Sequence, residues 1–138
     1  MEGYTEGKMI NYRNNTAGII EADLIPFFEG WPKKPEPSKR PEILKNSDYV
    51  VIAAEGNKIV GFITAISDKT LSAYIPLLEV LPEYRKQGIG SELVKRMLEL
   101  LKEYYMIDLC CDENLEGFYK KTGFKKVSGM IMRNYDRI

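Results

Sequence analysis

The run Leu78-Glu79-Val80-Leu81-Pro82-Glu83-Tyr84-Arg85-Lys86-Gln87-Gly88-Ile89-Gly90-Ser91 restricts the fold more than any other stretch of the chain. An apolar strand leads into it and a long amphipathic helix leads out. The hydrophobic period must therefore switch from two to 3.6 within this turn. Between the two elements lies Arg85-x-x-Gly88-x-Gly90, where missing side chains let a ligand approach the backbone. The first amides of a helix have no partner inside it and sit at the positive end of its dipole, an arrangement that suits anionic oxygen. The turn reads as a diphosphate cradle. A P-loop is disfavoured because no Lys-Ser or Lys-Thr follows either glycine. A dinucleotide fingerprint is disfavoured because its third small residue falls at Leu93 and the repeating strand-helix-strand order is lacking.

Composition narrows the ligand. The chain has 138 residues, enough for one domain (1–138) with a core that needs no disulfide or metal staple. Its 20 basic and 20 acidic side chains cancel, whereas a sequence-independent nucleic-acid binder carries a basic excess, so no nucleic acid is expected as partner. No apolar run is long enough to span a membrane, and Met1-Glu2-Gly3-Tyr4 is polar with no signal-peptide core; a cytoplasmic location is the expectation. The sequence contains no histidine. Ser-His-Asp and Cys-His catalysis and every His-containing metal site are thereby excluded, and no metal is expected. Any acid or base must be Glu, Asp, Tyr, Cys, Lys or water. Cys110 and Cys111 are neighbours in an apolar run, so on a strand they face opposite ways and a disulfide between them is not expected. They read as buried small hydrophobes, with a reactive thiol as the alternative.

The remaining pattern places these features in order. A short strand near Lys8–Tyr12 precedes Thr16, a helix-capping type, and Ile20, Leu24, Phe27 and Phe28 recur at helical spacing until Pro26 kinks or ends the helix. Trp31 to Pro41 holds four prolines and reads as a connection, with a second short helix over Ser38–Asn46. Tyr49–Ala54, Ile59–Ser67 and Leu71–Val80 form an antiparallel meander. Pro76 interrupts the third strand, which predicts a bulge or splayed pairing and free backbone groups there. A helix over Gly88–Glu103 buries Ile89, Leu93, Met97, Leu100 and Tyr104 on one face. A buried strand at Met106–Cys111, a loop at Asp112–Asn114, a short helix at Leu115–Thr122 closed by Gly123, and one or two strands in Phe124–Asn134 complete the chain.

Arg85, Gly88 and Gly90, preceded by Val80-x-Pro82-x-Tyr84, resemble the phosphate loop of the GNAT N-acetyltransferase superfamily. Phe118-Tyr119-Lys120-Lys121-Thr122-Gly123-Phe124 is similar to that family's F-Y-x-x-x-G-F segment. The element order agrees over nearly the whole chain. The resemblance implies an α+β fold whose mixed, mostly antiparallel sheet splays between two central strands and is flanked by about four helices. It implies acetyl-CoA in that wedge, with backbone groups near Leu78 and Val80 pairing with the pantetheine arm and the amides of Lys86, Gln87, Gly88, Ile89, Gly90 and Ser91 holding the diphosphate. Arg85 adds charge in that picture. The Ser91 hydroxyl is either a phosphate ligand or a first-turn residue. Relatives often carry Asn where this chain has Asp112, and Asn114 is the candidate replacement.

The activity implied is direct transfer of acetyl to a primary amine of a small molecule or peptide in a ternary complex. Tyr119 stands where the family has its tyrosine general acid; packing of the short helix is its other reading. Glu79 lies beside the expected thioester and is the candidate base, or a solvated strand carboxylate. A glutamate on the following strand, used by some relatives, is replaced by Ile107. Phe28, Trp31 and Tyr74, with Phe27 and Tyr49, are candidates to line the acceptor pocket. Relatives are frequently dimers, so a homodimer is admissible. The rival reading is a CoA-binding sensor or interaction module without turnover.

Overall fold

The computed structural model describes residues 3–5 and 8–138, with side chains from Met9 onward. The Met1-Glu2 end of the polar N-terminus lies outside the described residues. Six strands form one sheet in sequence order: β1 (Gly3–Thr5), β2 (Lys8–Arg13), β3 (Tyr49–Glu55), β4 (Lys58–Ser67), β5 (Ser72–Val80) and β6 (Met106–Leu109). All neighbours are antiparallel except β5 and β6, which run parallel. The helices are α1 (Glu21–Leu24), α2 (Arg40–Asn46), α3 (Ile89–Leu100) and α4 (Glu116–Lys120).

The meander forms because Val/Ile-rich runs are separated by tight turns. Gly56 takes φ 60° between β3 and β4, a left-handed conformation that glycine adopts without strain. At the next turn one carboxylate oxygen of Asp68 accepts the amides of Thr70, Leu71 and Ser72, at 2.9, 2.8 and 3.1 Å. These bonds hold that carboxyl down at about 2. β4 is buried continuously from Ile59 to Ala65, because both of its faces are covered. On one face Phe62 meets Phe27 and Phe28, with ring centroids 5.1 and 6.1 Å away. On the other, α3 packs Leu93, Val94 and Met97 against the sheet, all fully buried.

Four expectations change. The first helix is one turn, Glu21–Leu24, because Pro26 follows and the chain enters a tight turn in which Phe28 has φ 69°. The helix over α3 stops at Leu100, and Val94 and Leu101 join its buried face while Leu100 and Tyr104 are half-exposed. Cys110 and Cys111 are exposed, not buried: β6 ends at Leu109, and the chain leaves the sheet there. Residues 124–134 form no strand. Val127, Met130, Ile131 and Met132 are exposed, Met130 completely. Apolar and β-branched side chains favour a strand only where a neighbouring edge and a packed face receive them, and this segment meets neither. Among the described residues no helix is long and apolar enough to cross a membrane, and no cluster of three or more Asp, Glu or Cys side chains is arranged to hold a metal.

Candidate functional site

The site begins where β5 loses one neighbour. β5 pairs with β6 only from Ser72↔Met106 to Ile75↔Leu109. Its register with β4 slips between Thr64↔Leu77 and Ile66↔Tyr74, so Ile75 and Pro76 together face the single residue Ala65. Proline lacks the N–H a ladder needs, and the bulge falls on it. Beyond the bulge, Leu77–Val80 stays paired with β4 and, among the described residues, has no strand on its other side. This is the splay expected from Pro76, and it leaves a wedge with main-chain groups on one wall.

The glycine turn caps that wedge. Lys86 has φ 61° and Gly88 φ 84°, so left-handed residues alternate along the turn and curl the backbone into a concavity. The first helical bond of α3 runs from the Glu92 amide to the Gly88 carbonyl, 3.0 Å. Among the described residues, none of the amides of Lys86 through Ser91 donates to a protein acceptor. Tyr84 is buried and donates its hydroxyl to the Glu55 carboxylate, which fixes the entry to the turn on the β3–β4 hairpin. Arg85 folds back, its Nε donating to the Val80 carbonyl at 3.0 Å, so it braces the turn from within. Gln87 donates to the Glu83 carbonyl at 3.3 Å. Ser91 is exposed on the first turn of α3. A Cβ placed on Gly90 would lie 3.5 Å from Phe118 and 3.9 Å from Val80, so this glycine forms the floor between α4 and β5.

Two faces of β5 can be separated by the pleat. Val80 and Leu78 pair with Gly61 and Ile63 and turn toward α3. Glu79 and Leu77 pair with Phe62 and Thr64 and turn toward α1. Gly61 lets the sheet and α3 approach closely: a Cβ there would come within 3.0 Å of the Glu79 carbonyl and 3.2 Å of Leu93.

Glu79 is held by two donors from a distant loop. The Phe28 amide donates to one carboxylate oxygen at 3.1 Å, and the Trp31 indole Nε1 donates to the other at 3.1 Å. Burial raises the Glu79 pKa above its ordinary 4.5, opposed by the Phe28 amide, the Trp31 indole and the Arg85 and Arg40 charges. The left-handed backbone at Phe28 costs about 1–2 kcal/mol, and it aims that amide at Glu79. Burial of the Phe28 ring against Phe62 and Trp31 offsets the strain. Arg40, only 5% exposed, donates to the carbonyls of Leu24, Ile25 and Pro35 and lies 5.2 Å over the Phe28 ring. The proline-rich connection is thereby stapled to the fold. Neither Arg40 nor the left-handed Phe28 is legible as a site element in the sequence. A buried arginine among basic, proline-spaced neighbours gives no local signal.

Tyr119 is nearly buried on α4, with Phe118 and Phe124 edge-on at 4.9 and 5.8 Å. Burial first, and then the Cys111 thiol, push its phenol up to about 12, so it keeps its proton at neutral pH. Phe118 against Gly90 ties this helix to the glycine turn. Burial and the nearby Glu116 and Asp112 carboxylates raise the Cys111 thiol, which weakens it as a nucleophile. Asn114 is exposed beyond β6. Tyr74 shares the face of Ile66, and the Cys110 thiol beside it, together with burial, raises its phenol. Tyr49 shares a 2.7 Å hydrogen bond with Tyr104 near the end of α3, away from β5's open segment, and Phe27 is core. Phe28 and Trp31 border a groove of about 520 Å³ that reaches Pro76 and Leu77.

Comparison with known proteins agrees with this architecture. The sequence profile of the acetyltransferase (GNAT) family matches residues 16–124. The uncharacterized N-acetyltransferase ycf52 of Pyropia yezoensis is 30% identical over 129 residues, which cover 86% of this chain and 73% of that protein. Histone acetyltransferase TAP1 of Glycine max is 33% identical over 110 residues; the match spans 70% of this chain and less than half, 47%, of TAP1. A crystal structure of an inferred acetyltransferase from Deinococcus radiodurans R1 superposes with a TM-score of 0.90 at 39% identity, covering 99% of this chain and 95% of the other. The GNAT-family acetyltransferase SP0256 of Streptococcus pneumoniae TIGR4 gives a TM-score of 0.77 at 30% identity over 91% of this chain and 98% of its own. With its wedge, its glycine turn and these relatives, the chain belongs to the GNAT family of acetyltransferases.

Proposed function

We propose that this acyltransferase takes an acetyl group from acetyl-CoA and gives it to a primary amine by direct attack in a ternary complex. The observation that carries the reading is the set of unpaired amides from Lys86 to Ser91, opening beside the unpaired segment of β5. That set fits a diphosphate, because each oxygen can accept from a helix-start amide and the helix dipole adds to the attraction. Gly90 supports the fit: a Cβ there already touches Phe118 and Val80 at ordinary contact distance, so a methyl fits but a long side chain has no room on that side. When bound, acetyl-CoA supplies the activated acyl carbon and a thiolate leaving group.

The chain's own residues do the rest. Amides of residues 86–91 hold the diphosphate, and main-chain groups of Leu78 and Val80 hold the arm and the thioester oxygen. An N–H aimed at an oxygen that gains negative charge lowers the barrier, because the donor is already oriented. Glu79 takes the proton of the incoming amine, directly or through a water. Burial raises its pKa, which makes it a stronger base than an exposed glutamate. Each of its oxygens accepts one bond from the protein and retains a lone pair for the amine. Tyr119 gives its proton to the departing sulfur; a phenol raised to about 12 is fully protonated before that step.

Two measurements on the full chain test the reading. Melting with and without millimolar CoA should give a higher midpoint with the ligand, because a binder of the native state stabilises it by mass action. Thiol release from acetyl-CoA should then depend on an added amine. No melting shift removes the assignment; a shift with no amine-dependent thiol release leaves only a CoA-binding module.

A further inference from the structure

The groove beside Glu79 has a composition that selects among amines. It encloses about 520 Å³ and is walled by Phe28, Trp31, Ile43, Ile66, Pro76 and Leu77. Its polar side chains are Lys39, Asn46, Ser47 and Arg137, the terminal Ile138 also borders it, and among the described residues no acidic side chain lines it. One end meets the open part of β5 at Pro76 and Leu77. Leu77 lies on the same face of β5 as Glu79, and Trp31 both borders the groove and donates to Glu79. The same groove is bordered by Ile66 on β4 and Ile43 on α2.

We infer that the acceptor is a primary monoamine carried on an elongated apolar body, with its nitrogen at Glu79 and its body along Leu77, Ile66 and Ile43. The inference rests on the acyl-transfer reading above and names the substrate class for that site. Three features set the class. An apolar body replaces water against the apolar wall, which is the favourable term in burying it. A second ammonium on the acceptor would be desolvated there among apolar and cationic side chains, with no acidic side chain in the lining to meet it, which is unfavourable. The two charged side chains of the lining are both cationic, so they repel polyamines and aminosugars and tolerate an anionic far end. Arg40 beneath Phe28 and the strained Phe28 backbone keep the Trp31 wall in place, so the groove is built before the ligand arrives.

The test is thiol release from acetyl-CoA by the full chain with octylamine and 2-phenylethylamine on one side, spermidine and kanamycin on the other. CoA-dependent melting is recorded in parallel. Expected is a kcat/KM for the apolar monoamines at least about tenfold above that for the polycations, the scale on which an apolar pocket discriminates. Ile66 is half-exposed, so a substitution there need not disturb the core. Ile66→Glu should lower octylamine turnover about tenfold and raise spermidine turnover, with the CoA melting shift retained. Equal or better use of the polycations overturns the inference, as does an unchanged ratio in Ile66→Glu or an absence of turnover with all four amines while CoA still shifts the melt. Loss of the CoA shift itself in the wild-type chain takes down the acyl-transfer reading as well, so the two failures are told apart.

Discussion

On one face of β5, Leu78 and Val80 turn toward α3 and the glycine turn; on the other, Leu77 and Glu79 turn toward α1 and the Trp31 loop. The first half is built from main-chain groups of a contiguous stretch, and it depends on the left-handed φ of 84° at Gly88 and on the lack of a long side chain at Gly90. The second is built from side chains of residues 28, 31, 40 and 79, which meet only in the folded protein. A backbone-built half tolerates little added bulk, a methyl at most, but asks little of distant residues. A side-chain-built half tolerates exchange of individual groups but depends on the whole packing around α1 and α2. The two halves should therefore fail differently when mutated.

The largest effect is expected at the cradle. Gly90→Arg should abolish the CoA melting shift, a loss of affinity of about a hundredfold or more, equal to about 2.7 kcal/mol. Gly90→Ala places its Cβ at ordinary contact distance from Phe118 and should keep most of the shift. If Gly90→Arg still binds CoA, the backbone half is not where the ligand lies.

Tyr119→Phe should leave the melting shift intact and lower kcat on the order of a hundredfold, the range of a positioned proton donor. Unchanged kcat would return Tyr119 to a packing role.

Glu79 gives the comparison a pH axis. Its pKa is raised by burial, and activity requires the ionised form, so kcat/KM should fall as pH drops through a value above the ordinary 4.5. Glu79→Gln should remove that acidic limb and lower the plateau; an unshifted limb in the variant would assign the base elsewhere.

Gly61 links the halves, because its missing Cβ lets β5 and α3 close together. Gly61→Ala should destabilise the fold by about 1–3 kcal/mol through overpacking, read as a lower melting midpoint. Smallest is Trp31→Phe, which deletes the 3.1 Å bond to Glu79 and keeps the ring. A cost of about 1 kcal/mol is expected, appearing mainly as a raised KM for the acceptor with the CoA shift unchanged.

The same contrast explains what the sequence makes legible. The glycine turn, the meander, Pro76's bulge and the Phe118–Phe124 segment are local patterns, and each forms where its residues place it. Glu79 stands out as a carboxylate in an apolar strand, but its partners lie 51 and 48 positions away at Phe28 and Trp31. No spacing announces that Phe28 turns left-handed to present its amide. Tyr49 and Tyr74 have the composition of pocket residues, yet Tyr49 spends its hydroxyl on Tyr104, and Tyr74 is absent from the lining of the groove beside Phe28 and Trp31. The Val127–Met132 stretch has strand-forming side chains, but a strand needs an edge beside it, and that depends on where β6 stops. Cys110 and Cys111 are exposed for the same reason, one and two residues beyond the end of β6.

The central claim is that the amides of residues 86–91 grip a diphosphate. Hydrogen–deuterium exchange of the peptides covering this turn, with and without saturating CoA, tests it most directly. These amides have no protein acceptor, so without ligand they should exchange quickly; with CoA their exchange should slow markedly. CoA that binds, by its melting shift, while exchange at 86–91 stays as fast as before would contradict the account.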